Sequence, residues 1–92
     1  YAVMKAARLE VISHEKYAQA GIDMFNSLVE HKLRDTADGA ELRDICWVAG
    51  LGPGETRDGS VEYYLSEKIV SNDSKGVGPF MMAYAQKLML EK

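Results

Sequence analysis

The chain is 92 residues long, 47% hydrophobic, and carries 11 basic and 14 acidic residues for a net charge of −3. Ninety-two residues form at most one small domain with a marginal core. The interspersed, slightly acidic charge lacks the basic stripe that nucleic-acid binding needs, and no apolar run reaches the roughly 18 residues of a membrane helix.

The chain opens at Tyr1 inside what reads as a helix, and residues 2–12 are rich in helix formers, with Val3, Ala6, Ala7 and Val11 at helical spacing. That start, without a methionine or a capping residue, predicts a piece of a longer protein. Ser13 is suited to cap a second helix over 14–32, since its hydroxyl can accept from first-turn amides, and Glu15 then sits at the positive end of the helix dipole. Tyr17, Ala20, Gly21, Met24, Phe25, Leu28 and Val29 recur at three and four residues, the period of one buried helix face. Gly21 in mid-helix costs up to about 1 kcal/mol against alanine, and a close helix–helix contact is the expected compensation.

Between 33 and 48 the pattern changes. Asp38-Gly39 tolerates positive φ and predicts a hairpin, with the second strand running from Leu42 to Val48. Residues 49–75 read as a loop, with glycines at 50, 52, 54 and 59 and a short strand or extended segment over 61–65. Asn72, Asp73 and Ser74 supply caps for a last helix over 76–90, Pro79 favours an early helical position, and Val77, Phe80, Met81, Tyr84, Ala85 and Leu88 form its expected inner face. The fold class is mainly α with one small β-hairpin.

Few residues offer chemistry. His14 and His31 stand alone, without the paired spacing of a zinc site, and are read as surface residues. The single Cys46 precludes an internal disulfide, is compatible with the cytoplasm, and lies in an apolar stretch that favours packing over reactivity. Gly50-Leu-Gly-Pro-Gly-Glu lacks the Lys-Ser/Thr of a phosphate loop, and Pro53 removes one of the amides that would cradle a phosphate. Asp35 and Asp38 belong to a hairpin turn rather than a calcium loop. No nucleophile, metal site or cofactor site is expected.

Trp47, Tyr63 and Tyr64 are aromatic residues near the loop, suited to stacking on sugar faces. The core reading of Trp47 is favoured over a cleft role. On an extended segment adjacent side chains point to opposite faces, so at most one of Tyr63 and Tyr64 should line a cleft. Arg57 or Lys68 could hold a substrate carboxylate, with an ordinary solvated, salt-bridged loop slightly ahead of that reading.

The run Arg57-Asp-Gly-Ser-Val-Glu-Tyr-Tyr-Leu-Ser-Glu, followed by Asn72-Asp-Ser-Lys-Gly-Val-Gly-Pro-Phe, resembles the closing segment of the unsaturated rhamnogalacturonyl hydrolases, the family 105 glycoside hydrolases. The likeness extends upstream through Ile45-Cys-Trp-Val-Ala-Gly-Leu-Gly. It implies a C-terminal fragment of an (α/α)6 barrel of six helical hairpins. It also implies a substrate, an oligosaccharide ending in an unsaturated galacturonyl residue, and a mechanism, hydration of the 4,5 double bond by an aspartate expected upstream of this chain. That role is not assigned to Asp58, read as a turn residue, or to Asp73, read as a cap.

In the related family 88 unsaturated glucuronyl hydrolases a Ser-x-x-Ser-x-Lys run falls, by position, on Tyr63, Ser66 and Lys68. The serine-to-tyrosine change puts the motif's specificity in doubt, while its location suggests the leaving-group subsite. Candidate substrate-binding residues are therefore Arg57, Tyr63, Tyr64, Ser66 and Lys68. The fragment alone is expected to be inactive and to self-associate through exposed apolar helix faces. The competing expectation is a non-catalytic helical interaction module.

Overall fold

The computed structural model describes residues 1–48, 50 and 57–92. Helix α1 spans Ala2–Arg8 and stops short of residue 12. Glu10 takes φ 58°, while the amides of Glu10 and Val11 donate to the carbonyls of Ala7 (3.1 Å) and Ala6 (2.9 Å). That is a Schellman ending, with glutamate where glycine is commonest. Ser13 then caps α2, His14–Lys32, its hydroxyl accepting from the Lys16 amide at 3.2 Å.

The hairpin pairs β1, Leu33–Thr36, with β2, Gly39–Leu42. Ala37 and Asp38 join them, and the positive φ of the turn falls at Gly39 (115°). The second strand ends at Leu42 rather than running to Val48, because Asp44 at φ 59° turns the chain away. Ile45–Cys46, β3, pairs antiparallel with β4, Ile69–Val70. Between these lies α3, Val61–Ser66, where an extended segment was expected. Leu42 and Asn72 exchange two bonds, Asn72 N–H to the Leu42 carbonyl at 2.9 Å and Leu42 N–H to Asn72 Oδ1 at 2.8 Å. Asn72 thus ties the hairpin to the last helix, a role different from the cap read for it.

Helix α4, Ser74–Leu90, is capped by Asp73, whose carboxylate accepts from the Lys75 amide at 2.9 Å. The helix begins before residue 76, so Pro79 lies in its second turn rather than at its start. Without an N–H, Pro79 leaves the Lys75 carbonyl without its usual helical donor.

Helix α1 packs on both α2 and α4. The core is Met4, Phe25 and Ala83, with Ile22, Phe80 and Leu90 against it, and the rings of Phe25 and Phe80 lie 5.0 Å apart. Gly21 makes the expected close contact: a Cβ there would stand 2.5 Å from Met4 Cγ.

Both long helices bury only part of the face periodicity suggested, Gly21 and Phe25 on α2 and Phe80 on α4 packing as expected. On α2 the buried residues are Ala18, Gly21 and Phe25, whereas Met24 and Leu28 are exposed. On α4 the buried residues are Ala83 and Gln86, whereas Met81, Tyr84 and Leu88 are exposed. Each helix carries an apolar arc wider than its neighbours in this chain can cover.

The result is a slab of 47 × 38 × 17 Å with a radius of gyration of 15.9 Å. A compact domain of this length would have a radius of about 12 Å. No described helix is long and apolar enough to cross a membrane.

Candidate functional site around helix α3

Local side-chain bonds build α3. Asp58 Oδ1 accepts from the Ser60 amide at 2.9 Å, and Ser60 Oγ accepts from the Tyr63 amide at 3.1 Å, so Ser60 is the cap. Gly59 between them has φ 82°. This places Asp58 in the turn it was expected to make. Ser60 at the N-cap and Glu62 in the first turn were the sequence signals for a helix here, since both suit the positive end of the dipole.

The helix changes the tyrosine geometry. Adjacent residues on a helix lie about 100° apart rather than on opposite faces, so Tyr63 is buried while Tyr64 is 58% exposed. Both nevertheless border one depression of about 140 Å3, together with Gly50, Gly59 and Ser60. The opposite-face argument for the pair, which assumed an extended segment, therefore does not apply to a helix.

Arg57 Nε donates to Glu67 Oε1 at 3.2 Å, and the Glu67 side chain is only 10% exposed. This pair clamps the two ends of the segment carrying α3. The Tyr63 hydroxyl is buried beside it without a hydrogen-bond partner of good geometry among the described residues. Burial, then the Glu67 carboxylate, pushes the phenol above its ordinary pKa, against a smaller opposing pull from Arg57. Tyr63 therefore stays neutral at physiological pH. Arg57 is held above its ordinary value by the Tyr63 oxygen first and Glu67 second. Glu67 was not among the sequence-derived site candidates, because its pairing with Arg57 depends on the α3 turn.

The other candidates stand apart from this cluster. Ser66 Oγ donates to the Tyr63 carbonyl at 2.6 Å, a bond within the helix. Lys68 is exposed, and its carbonyl accepts from the Trp47 amide at 2.8 Å. Trp47 is 50% exposed and Cys46 is exposed, so neither is the packed residue the sequence suggested. Strand β3 is only two residues long, Ile45–Cys46, and encloses neither. His14 and His31 are on the surface. The Gly-rich run from Leu51 to Thr56 lies outside the described residues.

The arrangement offers hydrogen bonding and aromatic stacking rather than proton transfer. Asp58 is lowered by its bonds with Ser60, Asp73 by Lys75 and Asp44 by Lys32. A general acid working near neutral pH needs the opposite shift.

The chain matches the family model described as Glycosyl Hydrolase Family 88 over residues 1–91. It is 45% identical, over 98 aligned positions, to Protein Atu3128 of Agrobacterium fabrum (strain C58 / ATCC 33970) and to a 24.9 kDa protein in the picA locus of Rhizobium radiobacter. In both cases the whole of this chain aligns, and it spans 42% of the relative's length. Its structure superposes on a family 105 glycoside hydrolase from C. acetobutylicum ATCC 824 with a TM-score of 0.86 and 40% identity, covering 97% of this chain and 25% of that one. The helices and short antiparallel strand pairs described above thus match a part of a larger glycoside hydrolase, and the chain belongs to Glycosyl Hydrolase Family 88.

Proposed function

We propose that this chain is the C-terminal part of a hydrolase that removes a terminal unsaturated galacturonyl residue from rhamnogalacturonan oligosaccharides in pectin degradation. The observation that carries this reading is the likeness to a family 105 glycoside hydrolase over 97% of the chain at 40% identity. The larger enzyme would be a barrel of six helical hairpins, working in the cytoplasm. An aspartate outside this chain would act as general acid and base, protonating the 4,5 double bond as water adds. The downward-shifted carboxyls Asp44, Asp58 and Asp73 are unsuited to that role.

Within this scheme the α3 segment borders the leaving-group subsite. Tyr64 supplies an exposed ring for a sugar face. Arg57 and Lys68 supply cations for a carboxylate, Arg57 already sharing its charge with Glu67. Ser66 and the buried Tyr63 hold the segment in shape. On its own the chain is inactive and self-associates through its exposed apolar helix faces.

The test is the ultraviolet absorbance of an unsaturated galacturonyl–rhamnose disaccharide. Its loss with a full-length polypeptide carrying this segment, and its persistence with the 92-residue chain, are the expected results. Persistence with both, against a panel of unsaturated uronides, would refute the hydration chemistry.

A further inference from the structure

Two contacts made wholly within this chain join the base of the α3 segment to the start of helix α4. Gly76 lies in the first turn of that helix, and its backbone is helical rather than left-handed. Helix propensity alone would therefore favour alanine there. What alanine would meet is strand β3: a Cβ at Gly76 would lie 2.6 Å from Cδ1, 2.7 Å from Cγ1 and 3.1 Å from Cγ2 of Ile45. Isoleucine is branched and stiff at χ1, so turning its side chain does not clear three carbons at once. A Cβ at Gly78, two residues on, would meet no described atom within 4 Å. The close approach is thus particular to Gly76.

Ile45 carries the α3 segment with it. It pairs with Val70, and Cys46 pairs with Ile69, while the Trp47 amide donates to the Lys68 carbonyl at 2.8 Å. Only Glu67 and Lys68 separate this ladder from the end of α3. Asn72 closes the ladder at its other end. It holds φ 56°, a conformation that asparagine tolerates better than most residues. Its Oδ1 accepts from the Leu42 amide at 2.8 Å, and its own amide donates to the Leu42 carbonyl at 2.9 Å. Leu42 precedes β3 and Asn72 follows β4, so this pair draws the neck of the segment together.

We infer that Gly76 and Asn72 are positioning residues for the α3 site: Gly76 lets β3 seat directly on α4, and Asn72 locks the neck of the segment to that seat. The inference rests on the proposed place of α3 beside the leaving-group subsite and names what holds it there. Neither residue touches substrate in this scheme. Each acts through Ile45 or Leu42 on the orientation of α3, so its loss should weaken substrate binding more than the chemical step.

The test uses a full-length polypeptide carrying this segment, read by amide hydrogen exchange and by kinetics on the unsaturated disaccharide. Gly76→Ala forces Ile45 back by about 1 Å, since non-bonded carbons prefer about 3.5–4.0 Å. It should speed exchange over residues 60–70 roughly tenfold relative to α2. It should also raise KM roughly tenfold with kcat within about twofold. Adding Ile45→Ala, which removes the three carbons that the new methyl would meet, should restore both readouts. Asn72→Gly keeps the backbone conformation but loses the side-chain acceptor, and should act as Gly76→Ala does. Asn72→Asp keeps an acceptor oxygen and should not. Exchange over 60–70 that is unchanged by Gly76→Ala, or not restored by Ile45→Ala, would overturn the seat. Faster exchange with an unchanged KM would overturn its role in positioning the site. A wild-type polypeptide inactive on every unsaturated uronide would refute the hydrolase reading, and the exchange pattern alone would then decide the seat.

Discussion

Gly21 is the position at which the structure inverts an ordinary helix rule. In an exposed helix interior, glycine to alanine stabilises by about 1 kcal/mol. Here the new Cβ would lie 2.5 Å from Met4 Cγ, 3.4 Å from the Met4 amide nitrogen and 3.5 Å from its Cα. Non-bonded carbons prefer about 3.5–4.0 Å, so Met4 Cγ must retreat by about 1 Å. Met4 is 2% exposed and packed in the core with Phe25 and Ala83, so its retreat disturbs that packing. Overpacking of this kind costs roughly 1–3 kcal/mol, which exceeds the propensity gain. Gly21→Ala should therefore be destabilised by about 1 kcal/mol, and Gly21→Val by more. Urea unfolding followed by circular dichroism, at fixed protein concentration because association shifts apparent stability, measures this. Ser27→Ala on the exposed side of α2 is the control, expected within about 0.5 kcal/mol of wild type. If Gly21→Ala were more stable than wild type, the close packing of α1 on α2 would be wrong.

Ser13→Ala should cost about 1 kcal/mol by removing the cap from α2, read in the same unfolding assay; no change would mean that the hydroxyl bond to Lys16 contributes nothing. Asp73 has its folded pKa below the ordinary 3.8, chiefly through its bond to Lys75. Its charge therefore contributes stability above that ordinary value, which is lost as pH falls through the lowered folded pKa. The stability difference between wild type and Asp73→Asn, which keeps a capping oxygen, should be constant above about pH 5 and shrink as the carboxyl protonates. A difference that persists at the acid end would count against this assignment. Arg57→Met should loosen α3 by leaving Glu67 unpaired, raising amide hydrogen exchange across residues 60–67 while α2 stays protected; uniform exchange across the chain would reject the clamp.

Local chemistry was legible in the sequence. Ser13 and Asp73 cap the helices they were expected to cap, Asp58 and Gly59 turn the chain, and Gly21 marks a close approach. Each depends on a side chain competing for backbone groups within three or four residues, or on the absence of a Cβ. The run from Arg57 to Phe80 was specific enough to point to the hydrolase families that the comparisons then supported. Helix α3 stands where an extended segment was expected, although Ser60 at the N-cap and Glu62 in the first turn suit a helix.

The tertiary structure alone decided which part of each apolar arc is covered. Periodicity gave α2 and α4 a helical period, but the buried sector depends on where α1 lies, and no spacing within one helix encodes that. The exposure of Cys46 and Trp47, the reciprocal bonds of Leu42 and Asn72, and the Arg57–Glu67 clamp around Tyr63 likewise join residues brought together only by the fold. The sequence determined where the two long helices run and where the capped turns fall. The neighbours in space determined which apolar surface it keeps and which it leaves open.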